Sequence, residues 1–426
     1  MGAVLKPPPV SAAWTVWGLG AALYLIAFYQ RVAPAVMTRE LARDFELSAA
    51  SLGNLSAFYF YGYVAVQIPT GLLADRFGPR VVLASGAVLT AIGTLVFALA
   101  PSAAFANAGR LAIGTAAGVA FVALMKLATH WMPARQFAFA TALALLIGTL
   151  GATLAGAPLR MAVDAFGWRQ VMAASACFTA GVAVAIWLVV RDDPSERGFA
   201  SYFSSDSRGA RAPSIASQLR DVSRYPVTWA MLVVPGSLSG IVLAFAGLWG
   251  VPFLVTQHGF TPRAAASLAS AMLVIWAVGG LAFAWISQRA GSRRKPMIAG
   301  IAIAACAWAV VVFVPGLARE ALVAALMACA FAAGAAMLSF PLAKEAVAPR
   351  LAGTVGGIAN MGMMLGGMVM QPLVGIVLDR HWDGAMADGV RLYGFDAYRA
   401  GFTMMLVWAA LALAVLALLA GERKTR

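Results

Sequence analysis

Three cations interrupt otherwise apolar stretches of the chain: Arg31, Arg110 and Lys126. No aspartate or glutamate lies well inside any apolar segment; Glu320, Glu345 and Asp379 fall at segment ends. A charged side chain is expensive in hydrocarbon and is usually kept there for a function. With no acid beside it, its natural counter-charge is a ligand bearing a carboxylate or phosphate. Arg31 sits about six residues, roughly 9 Å at helical rise, from the end of its segment. Arg110 and Lys126 share one segment but are about 160° apart around a helix, so they do not face one cavity together. Arg31 is therefore the first candidate anion anchor, Arg110 the second and Lys126 the third. The alternative for each is snorkelling to the interface.

Neutral polar groups mark two further stripes. Tyr59, Tyr63 and Gln67 recur every four residues and share a helix face. Asn360 and Gln371 are eleven residues apart, which places them about 20° from one another around a helix. Polar groups avoid lipid, so both stripes should point inward, to touch a ligand or to join helices. Trp249 and Trp276 could stack on a ligand or anchor at the interface.

A third group of residues is suited to gating. Residues 71–80 read GLLADRFGPR, with Gly71, Asp75, Arg76, Gly78 and Arg80 in a connection that has to turn tightly. Gly78 permits a backbone angle that a side chain would strain. A carboxylate such as Asp75 is stabilised at a helix N-terminus, and the expected partner is the helix starting near Leu351 to Thr354. The loop is then a latch; the plain alternative is a basic loop that only sets topology. Glycines crowd two segments, Gly148, Gly151 and Gly156 in one and Gly353 to Gly375 in the other, for close packing or for bending.

The elements that must position these residues follow from composition. Of 426 residues, 62% are hydrophobic and 11% charged, against about 25% charged in soluble domains. Hydrocarbon must be the solvent for most of the surface. Apolar segments fall near 12–37, 50–73, 81–100, 105–132, 137–160 and 170–190. A basic stretch at 191–225 follows, then segments near 227–255, 264–287, 296–315, 320–343, 351–378 and 399–420. They do not alternate, so they are helices and not barrel strands. The expected fold is an all-α membrane protein of about twelve transmembrane helices in two pseudo-symmetric six-helix bundles, 1–190 and 226–426, joined by a cytoplasmic linker.

Charge sets the orientation. With the N-terminus inside, and the three interior cations set aside, 19 of the 31 basic residues are cytoplasmic and 9 external; that bias places both termini and the linker in the cytoplasm. The net charge of +14 is spread between apolar segments, which excludes the compact patch of a nucleic-acid binder. Cys177, Cys306 and Cys329 match no metal or redox spacing, and no metal or cofactor is expected. The apolar run after Ser11 is too long for a signal-peptide core. The loop at 71–80 is echoed at 284–294, where Arg289, Gly291 and Arg293 stand 213 residues after Arg76, Gly78 and Arg80. Internal duplication of this kind occurs in transporters that bind substrate between repeats.

On these residues the sequence resembles the major facilitator superfamily over nearly its whole length. Gly71, Asp75, Arg76, Gly78 and Arg80 look like the family's signature loop, with Pro79 where a basic residue is usual; Arg110, Gly114 and Gly118 form a second family-like pattern. FYQRVAPAVM at 28–37 and LGNLSAFYFYGY at 52–63 resemble a bacterial branch near phagosomal amino-acid and lysosomal dipeptide transporters. The resemblance implies a secondary transporter of a small polar, carboxylate-bearing solute (amino acid, short peptide or organic acid), working by alternating access in a bacterial inner membrane. Its partners are an anionic or zwitterionic solute, the lipid bilayer and, in a symporter, protons. A multidrug or other solute exporter and a uniporter are the alternatives. A membrane-embedded enzyme would need clustered acids or a histidine–acid pair. The histidines are His130, His258 and His381, and His381 lies beside Asp379 and Asp383 on an outer loop with no second cluster.

Overall fold

A computed structural model describes residues 6–202 and 215–424; the linker arginines Arg208 and Arg211 and the terminal Arg426 lie outside them. The chain is almost wholly helical. Helices α1 (Val10–Val32), α2 (Thr38–Asp44), α3 (Ala49–Gln67), α4 (Pro69–Ala98), α5 (Ala103–Trp131) and α6 (Ala134–Leu154) come first. They are followed by α7 (Ala157–Phe166), α8 (Trp168–Val189), α9 (Ile215–Val222), α10 (Pro226–Ala244), α11 (Gly250–His258) and α12 (Pro262–Arg289). The last are α13 (Arg294–Phe313), α14 (Arg319–Ala333), α15 (Ser339–Glu345), α16 (Ala352–Arg380) and α17 (Phe395–Lys424). One hairpin, β1 (Met386–Ala387) against β2 (Val390–Arg391), turns through Asp388 and Gly389, both at positive φ, as a two-residue hairpin turn requires.

Among the described residues eleven helices, some built from two of these elements, are long and apolar enough to cross a membrane. The segment expected at 50–73 is α3 continued by Pro69–Phe77, and it is the one outside that set. Asn54, three tyrosines and Gln67 make it the most polar of the segments. Pro69 breaks it by withholding a backbone N–H. The turn between it and the next crossing falls at Gly78, whose φ of 79° and ψ of 156° interrupt α4. That region of backbone space is open to glycine alone.

The described residues form two compact units. One comprises 6–31, Tyr61–Leu154 and 166–202; the other Val32–Phe60, Ala155–Ala165 and 215–424. In the first, α4 lies against α5 and α8, around buried Trp17, Leu83, Leu124 and Trp131. Gly93 and Gly109 let α4 and α5 touch backbone to backbone: a Cβ on Gly109 would lie 2.6 Å from the Gly93 carbonyl oxygen. Gly148 and Gly151 bring α6 equally close to α1, against Tyr24, Phe28 and the Leu25 carbonyl. These contacts set the depth of the two residues that follow, Arg110 after Gly109 and Arg31 one turn after Phe28.

In the second unit α10 and α16 meet through glycines, Gly362 against the Met231 carbonyl and Gly366 against Gly240. The many glycines of α16 thus serve close packing here. Asp379 caps the start of α3, accepting from the backbone N–H groups of Ala49 (3.1 Å) and Ala50 (2.8 Å) and from the Tyr393 hydroxyl (2.7 Å). Burial, together with donation to that carboxylate, raises the Tyr393 phenol above its ordinary value. Arg160 of α7 ties Glu40 (2.7 Å), Asp164 (2.6 Å) and the Val36 carbonyl (2.6 Å) together.

Candidate functional site

The first unit contains the two buried cations that stand out. Arg31, at the end of α1, is 5% exposed. Its guanidinium carbon lies 3.9 Å from the centroid of the Phe28 ring, and its Nε is buried with no hydrogen-bond partner among the described residues. None of the ion pairs among those residues involves it. A desolvated guanidinium held only by a ring face lacks the carboxylate or carbonyl that would offset its burial. Phe28 stacks in turn on Tyr24, at 4.8 Å between centroids, and Tyr24 contacts Phe121 at 5.4 Å. The cation therefore sits at the head of an aromatic row whose place is set by the glycines of α6.

Arg110 is 1% exposed, and its Nη1 donates to the backbone carbonyl of Gln30 at 2.6 Å. It thus touches the residue directly before Arg31, although 80 positions separate the bonded pair. The Gln30 side chain donates to Thr94 Oγ1 (3.0 Å) and Ser175 Oγ (3.2 Å). Gln30, Thr94, Ser175 and Phe28 were not singled out by type or spacing. A glutamine beside an arginine in an apolar run was the available signal.

Lys126 has a different environment from Arg31 and Arg110. Its Nζ lies 2.8 Å from Asp75 Oδ1 and also bonds the Ala74 carbonyl, so it braces the 71–80 connection. The 160° divergence from Arg110 around α5 fits these separate environments. Around the same loop, Arg80 donates its backbone N–H to Asp192 Oδ1 at 2.6 Å, and its guanidinium bonds the Trp187 carbonyl at 2.8 Å and covers the Trp187 ring. A Cβ on Gly78 would fall 2.3 Å from the Asp192 carboxylate, so position 78 must be glycine for space as well as for its backbone angle. Arg76 stacks on Phe77. Gly71 is exposed, with open space where a Cβ would be.

Asp192 and its neighbour titrate in opposite directions. Burial raises the Asp192 carboxyl above the ordinary carboxylate value, more than the Arg80 N–H lowers it. Burial also pushes Asp193 up, but bonds from Ser195, Ser201 and His130 outweigh it and hold that carboxyl down at about 2. His130 Nδ1 and Ser201 Oγ both meet Asp193 Oδ2, at 3.0 and 2.7 Å. The serine donates to the acid, and the two contacts together brace this part of the chain around Asp193. The other candidate pair is also committed elsewhere, since Asp379 caps α3 and His381 Nδ1 lies 2.9 Å from the Val377 carbonyl.

In the second unit the neutral candidates join helices. Trp249 Nε1 donates to the Gln371 carbonyl (3.0 Å), while Gln371 Nε2 donates to the Leu243 carbonyl (2.9 Å). Trp276 Nε1 donates to the Ala333 carbonyl (3.1 Å). Tyr59 is buried against Phe60, and Asn360 is half-buried on α16. In the first unit Tyr63 is half-buried, its backbone facing Gly118 of α5, and Gln67 keeps a buried Oε1 without a partner among the described residues.

A nearly all-helical, multi-pass membrane chain with a cation lacking an acid in its interior and a braced glycine turn between two crossings defines a transporter-type protein. The chain belongs to the Major Facilitator Superfamily, whose family model matches residues 18–371. It is 24% identical over 382 residues to a probable sulfoacetate transporter of Cupriavidus necator, covering 86% of this chain and 87% of that one. It is also 24% identical to a putative tartrate transporter of Agrobacterium vitis, over 84% of this chain and 82% of the relative. Its fold matches the crystal structure of a bacterial homolog of the human lysosomal transporter Spinster, with a TM-score of 0.71 at 19% identity over 96% and 97% of the two chains.

Proposed function

We propose that this protein is a secondary transporter that carries a small organic anion across a bacterial inner membrane, with Arg31 holding the anionic group. The observation that carries the reading is the buried guanidinium of Arg31, which has a ring face and no acid for company. A carboxylate or sulfonate would offset its desolvation and bond its donors in the bidentate geometry that guanidinium favours. The sulfoacetate and tartrate transporters among its relatives support an anion over a zwitterion. A zwitterion's ammonium would also need an acid that the membrane interior does not offer.

In this reading both termini are cytoplasmic, and the halves 1–190 and 226–426 alternate access around the anion. The connection of Gly71, Asp75, Arg76, Gly78 and Arg80 is then the cytoplasmic gate. Support for the gate comes from its bracing by Lys126 and Asp192, which gives the turn one defined shape.

Uptake into proteoliposomes of tartrate, sulfoacetate, amino acids and dipeptides tests the proposal, with and without an imposed pH gradient. Wild type should take up the organic anions. Arg31→Ala should raise the half-saturating concentration at least about tenfold, the loss expected for one or two charge-assisted hydrogen bonds. Dependence on the gradient separates proton symport from facilitated diffusion. Uptake indifferent to Arg31 would remove the anchor, and uptake of zwitterions in preference to anions would remove the substrate class.

A further inference from the structure

The two buried arginines of the first unit differ in what they bond, and the reason lies in the covalent structure of α1. In an α-helix the carbonyl of residue i accepts from the N–H of residue i+4. For Gln30 that residue is Pro34, which has no N–H. The helix is regular to Val32 and then tightens into a 3₁₀ turn over Ala33–Val36. The Gln30 residue is fully buried, and a buried backbone carbonyl left without its donor is costly. Arg110 Nη1 donates to that oxygen at 2.6 Å.

We propose that Arg110 is a positioning residue, its guanidinium standing in for the N–H that Pro34 removes and so fixing the passage from α1 into the 3₁₀ turn beside which Arg31 is presented. Three helices grip Gln30: α5 through Arg110, α4 through Thr94 and α8 through Ser175. The next residue, Arg31, rests only against the Phe28 ring. The register of this grip follows from the backbone contact of Gly93 with Gly109, the residue before Arg110. Both guanidinium groups keep a buried Nε without a hydrogen-bond partner among the described residues, but Arg110 is tied into the architecture through Nη1, which leaves Arg31 for the ligand. The inference rests on the anion-anchor reading of Arg31 for its functional consequence, but not for the link between Arg110 and Pro34.

That link predicts a compensation that a ligand-binding role would not give. Arg110→Ala should lower the thermal midpoint of the detergent-solubilised protein, measured without ligand, by about 3 °C. It should also raise the half-saturating concentration of L-tartrate in proteoliposomes at least about tenfold. In a Pro34→Ala background residue 34 regains an N–H for Gln30, so adding Arg110→Ala should cost less than half as much by either measure. Arg110→Lys, which keeps one charged donor, should recover most of the loss. A full Arg110→Ala loss in the Pro34→Ala background would overturn the proposal and make Arg110 a ligand in its own right. An unaltered midpoint in Arg110→Ala would overturn it too. Should the thermal cycle show compensation while Arg31→Ala leaves tartrate uptake intact, the brace would stand and the anion anchor would fall.

Discussion

Two regions of the first unit hold cations, and they treat them in opposite ways. At the 71–80 connection Lys126 has Asp75 and Arg80 has the Trp187 carbonyl, while Arg76 lies over the Phe77 ring on the exposed surface. In the interior Arg31 has a phenylalanine ring and Arg110 a backbone carbonyl. The partnered charges lie near water, where a pair costs little to form and contributes correspondingly little. The interior charges have paid the full desolvation cost without an acid to offset it. The difference separates charge that holds a turn in shape from charge left available to a solute.

The comparison can be sharpened first at the turn itself. Gly78→Ala should destabilise the protein by about 3 kcal/mol or more, because it combines a glycine-only backbone angle with a clash against Asp192. Thermal unfolding and membrane expression would report it, and a near-normal midpoint would mean that the turn can take another shape. A smaller effect is expected from Lys126→Gln. Its pair with Asp75 is largely exposed on the acid side and is worth under about 1 kcal/mol. Maximal uptake should fall by no more than about twofold, and the half-saturating concentration should not move. A rise there to match Arg31→Ala would break the comparison by making Lys126 a ligand. The smallest effect is a pH dependence at Asp193. Its carboxyl is held at about 2, below the ordinary 3.8, so its bonds stabilise the fold above the ordinary value and the gain is lost as pH falls from there toward 2. Asp193→Asn should therefore lower the thermal midpoint at pH 7 and converge with wild type as the pH approaches 2. A constant difference across that range would assign the stabilisation to packing instead.

Much of this arrangement was legible in residue types. Long apolar runs without alternation require helices, and GLLADRFGPR requires a turn with glycine at 78 whatever the partner. Arg31 and Arg110 stood out because an arginine in an apolar run is rare enough to need a reason. The polar stripe on α16 was also legible, although its use was not: the packing commits Gln371 to the Leu243 and Trp249 backbones. Lys126 looked equivalent to Arg110 by depth. It differs because Asp75, 51 positions away, arrives beside it. The role of Asp192 had no local signature, since it is defined only by the missing side chain of Gly78 and the N–H of Arg80.

The sequence by itself determined that the chain lives in a bilayer, how many crossings it makes to within one, where its turn must be, and which cations are anomalous. Each of these depends on one residue, or on a short run, meeting lipid, water or its own backbone. It even contained the missing N–H, because Pro34 stands four residues after Gln30. Only the tertiary structure decided which cation answers which vacancy. Hydrogen bonds and ion pairs form over about 3 Å, and the partners of Gln30, Lys126 and Gly78 come from 51 to 145 positions away. No local pattern encodes which helix face will arrive there.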